Sequence, residues 1–261
     1  MRNIAIALVI IFVSFGCTVK QQNVHSATAI NKNSERAKLY RKMASNIIAH
    51  KDYKNIPEAL RYLDKSNALI PNNSETAYLK GISYMIEGKL DTAFKWLQKS
   101  IDINKQYTPA RNALGIWYAK NKQWNEAIIQ FSLAINLSKY SYPIVSYYNR
   151  AIAYEKTGRY RSAIKDLKSA ITLGKYDRNK LFHLAKDYFI IGEFEKSIQT
   201  LRVIKNRSKF YDFETLLYAK DLFYLKRYKK SEIYLKKLLK SKDSLIRTQV
   251  LLYLRLIKKN G

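Results

Sequence analysis

Residues 74–107 read SETAYLKGISYMIEGKLDTAFKWLQKSIDINKQY and contain the pattern from which the fold can be inferred. It holds two helical patterns separated by Gly88, a residue that adopts without strain the positive φ at which many helices end. Gly81 in the first pattern and Ala93 in the second are small enough to let two helices approach closely. The large residue Leu97 fills the space around that contact. The stretch therefore predicts a pair of antiparallel helices.

The same pattern recurs along most of the chain. Residues equivalent to Gly81 are spaced by 34, 36, 34 and 34 residues, and those equivalent to Ala93 keep the same register. The first series is Gly81, Gly115, Ala151, Ala185 and Ala219; the second is Ala59, Ala93, Ala127, Ala163, Ser197 and Ser231. This repetition resembles the tetratricopeptide repeat, whose helix pairs stack because a single pair cannot bury its apolar faces alone.

The resemblance implies an all-α fold, a right-handed superhelical solenoid of six helix-turn-helix repeats. The repeat region spans 36–243, and Ile47 and His50 make the first helix of repeat one degenerate, because they stand where a small residue and a tyrosine are expected. Residues 244–261 are expected to form a C-terminal capping helix. The six repeats are expected at about 40–73, 74–107, 108–143, 144–177, 178–211 and 212–243.

The N-terminal residues have the features of an export signal. A basic Arg2 precedes an apolar run over 4–15, which is shorter than the roughly 20 residues that span a bilayer. Cys17 after this run resembles a bacterial lipoprotein cleavage site, which implies a signal peptide over 1–16, lipidation of Cys17 and a flexible tether over 17–35. With Thr18 next, the implied location is the outer membrane, facing the periplasm. Cleavage without lipidation stays open.

The chain carries a formal net charge of +28, spread along most of its length. Such diffuse charge is typical of lysine on solvated helix faces, so no specific nucleic-acid binding is expected. Residues 220–259 are denser, with 13 basic and three acidic residues, and are suited to anionic lipid head groups or an acidic partner. A nucleic-acid-binding solenoid is a further alternative, and it requires an uncleaved signal and a cytoplasmic location.

Partner binding is expected on the first helix of each repeat, at the register positions that line the groove in tetratricopeptide stacks. Lys186 and Lys220 add positive charge near one end of this set, whose other members are mainly apolar or aromatic. An amphipathic helix or an extended peptide would suit such a groove, although individual members could instead pack between repeats. The predicted groove residues are Tyr78, Ile82, Met85, Asn112, Ile116, Tyr148, Ile152, Phe182, Phe189, Leu216 and Phe223.

No catalytic pattern is found in the sequence. Its three histidines, His25, His50 and His183, have no metal-ligand spacing, and neither a phosphate-binding glycine loop nor a G-x-S-x-G motif occurs. Asp166 and Asp187 are expected on solvated faces. The interpretation is therefore a protein that is not an enzyme and uses no cofactor or metal.

A narrower resemblance lies in repeats three and four. The runs NALGIWY at 112–118, AINLSKYSYP at 134–143 and YNRAIAY at 148–154, together with the lipidation signal, are similar to the type IV pilus biogenesis lipoproteins, or pilotins. The resemblance implies a non-catalytic scaffold that localises or stabilises the outer-membrane secretin. The implied partner is a secretin subunit or another pilus-assembly protein, held first by Tyr78, Ile82 and Met85. The alternative is a periplasmic adaptor lipoprotein that scaffolds envelope proteases or peptidoglycan enzymes.

Overall fold

The computed structural model describes residues 31–50, 53–138, 143–205 and 211–260, and within these ranges every regular element is a helix. The predicted signal peptide, the predicted lipidation site Cys17 and residues 17–30 of the predicted tether lie outside the described residues. No helix in the described part of the chain combines the length and the apolarity needed to cross a membrane.

Thirteen helices follow one another in the described residues, and a short 3-10 turn, Tyr53–Asn55, precedes the second. They are α1 (31–49), α2 (Ile56–Leu69), α3 (Ser74–Ile86), α4 (Leu90–Ile103), α5 (Thr108–Lys120), α6 (Trp124–Leu137), α7 (Ile144–Lys156), α8 (Tyr160–Leu173), α9 (Arg178–Ile190), α10 (Phe194–Lys205), α11 (Asp212–Tyr224), α12 (Tyr228–Lys237) and α13 (Ser244–Asn260).

The helices occur as consecutive pairs, as the repeat pattern predicts, with α13 following the sixth pair. From α3 onward, each first helix begins at the residue where the spacing places a repeat start. At the N-terminal end, α1 is already helical at residue 31, within the segment expected to be tether. Residues 31–36 are mostly exposed, and they extend the helix whose burial begins at Ala37.

A left-handed residue ends the first helix of repeats two to six. Gly88, Gly158 and Gly192 supply the positive φ in three of these turns, while Lys122 and Lys226 adopt φ values of 59° and 57° in the other two. In each turn the following amide donates to a carbonyl five residues back, as Lys89 does to Tyr84 at 2.9 Å. These backbone hydrogen bonds satisfy carbonyl groups that the helix end would otherwise leave unpaired.

The small residues of the first helices make room for large side chains of the second helices. A Cβ added at Gly81 would lie 2.6 Å from Leu97 Cδ2, and one added at Gly115 would lie 2.5 Å from the Phe131 ring. In later repeats this position is alanine, and it is completely buried at Ala151. The close approach expected from the sequence is therefore made by the large residue of the second helix, which lies over the small residue of the first.

The helices group into two compact units, one ending at Ala113 and the other beginning at Leu114, so that the boundary falls within α5. In the first unit, Ala44 of α1 packs with Ala59, Leu63 and Leu79. In the second unit, α13 buries Val250 and other residues against α11 and α12, as expected of a capping helix.

Candidate partner-binding face

The second unit carries an aromatic surface on its first helices, which we call the first-helix face. We define it by Tyr148 of α7, Phe182 and Phe189 of α9, and Phe213 and Tyr224 of α11. Tyr148 and Phe182 stand at equivalent positions of consecutive repeats, whereas Phe213 and Tyr224 stand at other positions of α11. Their ring contacts nevertheless form two rows that cross the helices.

One row lies toward the N-terminal ends of these helices. The Tyr148 ring stands 5.8 Å from the His183 imidazole, and Phe182 stands 4.8 Å from Phe213, measured between centroids. Tyr211 extends the row, with its ring 5.6 Å from Phe213 and beneath the guanidinium of Arg178. Phe213 keeps 45% of its surface exposed, so this row offers apolar area to a partner.

A second row lies toward the C-terminal ends. The Phe189 ring is 5.6 Å from that of Tyr224, and Phe194 stacks on Tyr224 at 5.0 Å. Phe223 continues the row to Tyr253 of α13, with centroids 5.1 Å apart. Tyr224 is 48% exposed, which makes it the most accessible side chain of this row.

The two rows are separated by a distance suited to one helix. Phe182 and Phe189 are seven residues apart on α9, which corresponds to about 10 Å along a helix axis, close to the ~10–12 Å diameter of an α-helix. Lys220 belongs to the second row, since its ammonium lies 5.0 Å from the Phe189 ring centroid and 5.5 Å from that of Tyr253. The face therefore combines two aromatic rows with a positive charge at the second row, which suits an amphipathic helix bearing an acidic residue.

A polar group borders the face on α7. The Glu155 carboxylate, which is nearly buried, lies 2.8 Å from His183 Nδ1 and 3.8 Å from Lys186 Nζ. These contacts join α7 to α9 and hold Lys186 near the aromatic rows, so part of its positive charge is already balanced.

The structure brings together only some of the predicted groove residues. Tyr148, Phe182, Phe189 and Phe223 lie in the aromatic rows, whereas Met85 and Leu216 are only 7% exposed. Their side chains fill the core instead of lining an open groove, so their contact with a partner stays a prediction that this burial does not support.

The other predicted groove residues are half-buried. Tyr78 packs against Tyr107 at 5.7 Å between centroids, and Ile116 packs onto the cluster around Phe131. Ile82, Asn112 and Ile152 also keep part of their surface accessible. Their contact with a partner stays a prediction.

Sequence reasoning missed the most exposed residues of the face. Phe213 and Tyr224 stand at the second and thirteenth positions of repeat six, which are not register positions of the predicted groove residues. Ile190, one repeat before Tyr224, is also exposed and apolar. The signal was present in the sequence: large apolar residues at two further positions on the outward side of the same helices.

Two aspartates expected on solvated faces are buried instead. Asp166 is buried and accepts two hydrogen bonds from Arg150, at 2.7 and 2.8 Å. Asp187 is completely buried, and neither carboxyl oxygen has a hydrogen-bond partner among the described residues. The expectation fails because helix-to-helix packing covers positions that a single-helix pattern assigns to solvent.

A second buried carboxyl occurs one repeat later. Asp221 is completely buried, and only one of its oxygens accepts a hydrogen bond, from Ser197 Oγ at 2.7 Å. Burial raises the pKa of Asp187 to about 8, with the charge of Glu155 adding to the effect. Burial likewise raises the pKa of Asp221 to about 8, against the opposing effects of Ser197 and Lys220. Both groups therefore hold a proton near neutral pH.

No group of three or more histidine, cysteine, aspartate and glutamate side chains that could hold a metal ion is found in the described residues. The features that the structure does assemble, namely aromatic rows and lysines, suit non-covalent binding of another chain.

The repeats and the fold match known proteins. Residues 74–107 and 144–174 match the family model of the tetratricopeptide repeat. No curated protein matches the sequence.

Solved structures share the arrangement of helix pairs. PilF of Pseudomonas aeruginosa aligns with a TM-score of 0.73 at 13% identity, over 84% of this chain and 97% of PilF. PilW, described as a widely conserved type IV pilus biogenesis factor, aligns with a TM-score of 0.68 at 16% identity, over 82% and 98%. YrrB, a tetratricopeptide protein described as having an unusual peptide-binding site, aligns with a TM-score of 0.65 at 13% identity, over 72% and 96%. These similarities show a tetratricopeptide fold.

Proposed function

We propose that the protein is a non-catalytic scaffold that holds an envelope protein during type IV pilus biogenesis, with a subunit of the outer-membrane secretin as its partner. The observation that carries the proposal is the first-helix face, because its two aromatic rows, with Lys220 at the second, offer a surface to another chain. The fold likeness to PilF and PilW supports the pilus context.

The second unit is the better candidate for the contact than the early repeats. Met85 is buried and Tyr78 is covered in part by Tyr107, whereas Phe213 and Tyr224 each expose nearly half of their surface. A few residues, among which Trp, Tyr and Arg are over-represented, provide most of the binding free energy in typical protein interfaces, and aromatic side chains are enriched there. The partner is therefore expected to engage α9 and α11.

Lipidation of Cys17 is the second element of the proposal. Acyl chains on Cys17 would anchor the scaffold to the periplasmic side of the outer membrane, since each buried methylene adds about 0.8 kcal/mol to membrane binding. The lipid would then carry the bound secretin subunit to the membrane in which the ring assembles.

The experiment compares heat-resistant secretin multimers in outer-membrane fractions of a deletion strain, a Cys17→Ala strain and a Phe213→Ser/Tyr224→Ser strain. We expect few multimers after deletion or face substitution, and mislocalised or fewer multimers for Cys17→Ala. A matched control, Ile129→Ser/Val203→Ser, removes exposed apolar residues from second helices and should leave the multimers at the wild-type level. Unchanged multimers in the deletion strain would overturn the pilus role. Co-purification with a protease or peptidoglycan hydrolase would then favour an envelope adaptor.

A further inference from the structure

A groove of about 500 Å³ lies between α12 and α13, at the far end of the second unit. Its accessible apolar side chains are Leu239, Leu251 and Leu254, and Leu251 keeps 59% of its surface exposed. Lys236, Arg255 and Lys258 line the same groove. We call these six residues the C-terminal end face. Leucine side chains exposed to this extent beside clustered cations indicate an interaction surface that a binding partner or a membrane covers.

Positive charge predominates in this groove, whose lining has three cations and one carboxylate. Glu232 also lines the groove, and its carboxylate is 2.7 Å from Lys236 Nζ. The sequence of α13 contains neither aspartate nor glutamate, so Arg255 and Lys258 have no acidic neighbour within their own helix. An occupant of the groove must therefore accept leucine side chains and bring negative charge.

The register of α13 argues against another repeat helix as the occupant. Helix α11 buries Glu214, Tyr218 and Asp221, and α13 buries Ile246, Val250 and Tyr253 at the same offsets. Five residues after the first member of each set come Ala219 and Leu251. The buried side of α13 therefore corresponds in register to the buried side of α11, and Leu251 occupies the position that Ala219 has in α11.

That equivalence places a leucine where earlier repeats need a small residue. At Gly81, even one added Cβ would lie 2.6 Å from the side chain of the second helix. A full leucine at 251 leaves no room for a second helix packed in the manner of the repeats. A fluid apolar surface has no such requirement, because lipid chains rearrange around protruding side chains.

We propose that the C-terminal end face binds the surface of a membrane that contains anionic lipids. Leu251 and Leu239 enter the boundary between head groups and acyl chains, and Lys236, Arg255 and Lys258 contact phosphates around them. This contact is independent of any lipid on Cys17 and of the first-helix face.

The test places one polarity-sensitive fluorophore on the face. Because Cys17 is the sole cysteine of the chain, Cys17→Ser with Leu251→Cys gives one labelling site, and Cys17→Ser with Gln123→Cys gives a control label at an exposed turn. The full chain is mixed with phosphatidylcholine vesicles with or without phosphatidylglycerol. A blue shift is expected only for the label at 251, only with phosphatidylglycerol, and is reversed by high salt.

A charge variant measures the cationic contribution. Each cation near an anionic surface adds about five-fold to affinity, so Lys236→Gln/Arg255→Gln/Lys258→Gln should weaken the phosphatidylglycerol-dependent shift by about 100-fold in lipid concentration. A matched variant, Lys95→Gln/Lys105→Gln/Lys120→Gln, changes three exposed lysines elsewhere and should have little effect. Equal shifts for both labels, equal shifts with both vesicle types, or no effect of the first variant would overturn the proposal. A shift that grows with protein concentration in the absence of vesicles would also overturn it, in favour of a second copy of the chain.

Discussion

Replacing Asp187 and Asp221 together by asparagine is expected to remove a steep loss of stability between pH 5 and pH 7.5. In the folded chain both carboxyls are completely buried and have a pKa of about 8, whereas an unfolded aspartate has a pKa near 3.9. Between these two values the folded state keeps protons that the unfolded state has released. Stability therefore falls as pH rises through this window, and the fall levels off above pH 8.

The size of the effect follows from the number of protons. One proton difference changes the unfolding free energy by about 1.4 kcal/mol per pH unit, so the two carboxyls together contribute about 2.7 kcal/mol per pH unit. With a urea m-value of about 2 kcal/mol per molar, the midpoint of unfolding should fall by roughly 1 M per pH unit relative to the variant.

The assay is urea unfolding followed by circular dichroism at pH 5.5, 6.5 and 7.5. The difference between wild type and Asp187→Asn/Asp221→Asn isolates the two groups, because all other titrating groups are shared. Asp102→Asn, at an exposed position of α4, is the control and should run parallel to wild type. Parallel pH curves for wild type and the double variant would refute the reasoning, since they would mean that the buried carboxyls titrate normally.

Three further substitutions test the packing, the turns and a buried ion pair, each by chemical denaturation. Gly81→Ala should cost about 1–3 kcal/mol because its Cβ would overlap Leu97; a neutral result would show that the contact yields freely. Lys122→Gly should raise the unfolding free energy by up to about 1 kcal/mol, because lysine holds a φ of 59° there. Its control, Lys95→Gly within α4, should lower the unfolding free energy. A loss of stability in both variants would contradict this expectation. Glu214→Gln should lower the unfolding free energy by about 3–5 kcal/mol, because it leaves Arg178 without its buried carboxylate partner on the neighbouring first helix. A decrease below about 1 kcal/mol would contradict this expectation.

The repeat pattern was enough to predict the helix pairs. Gly81 and Gly88 mark a close approach and a left-handed turn, and both features depend on local spacing, which a sequence shows directly. Lys122 and Lys226 adopt the same turn without glycine, so the position of a residue in the repeat predicts this turn better than its residue type does.

The candidate site was harder to predict because it depends on contacts between repeats. Leu216 follows the groove register but is buried by its neighbours, whereas Tyr224 lies outside the chosen positions and is exposed. Asp187 looks like a surface residue in its own helix, and only the neighbouring helices remove it from solvent. A single-helix pattern contains no information about what the next repeat covers.

The most direct test of the central claim is site-specific photo-crosslinking in cells that assemble type IV pili. A photoreactive residue in place of Tyr224 reports on the first-helix face, and the same residue in place of Lys168, exposed on α8, serves as the control. We expect a crosslink to the secretin subunit from position 224 and not from position 168. Absence of the secretin from the products at position 224, or equal yields from both positions, would contradict it.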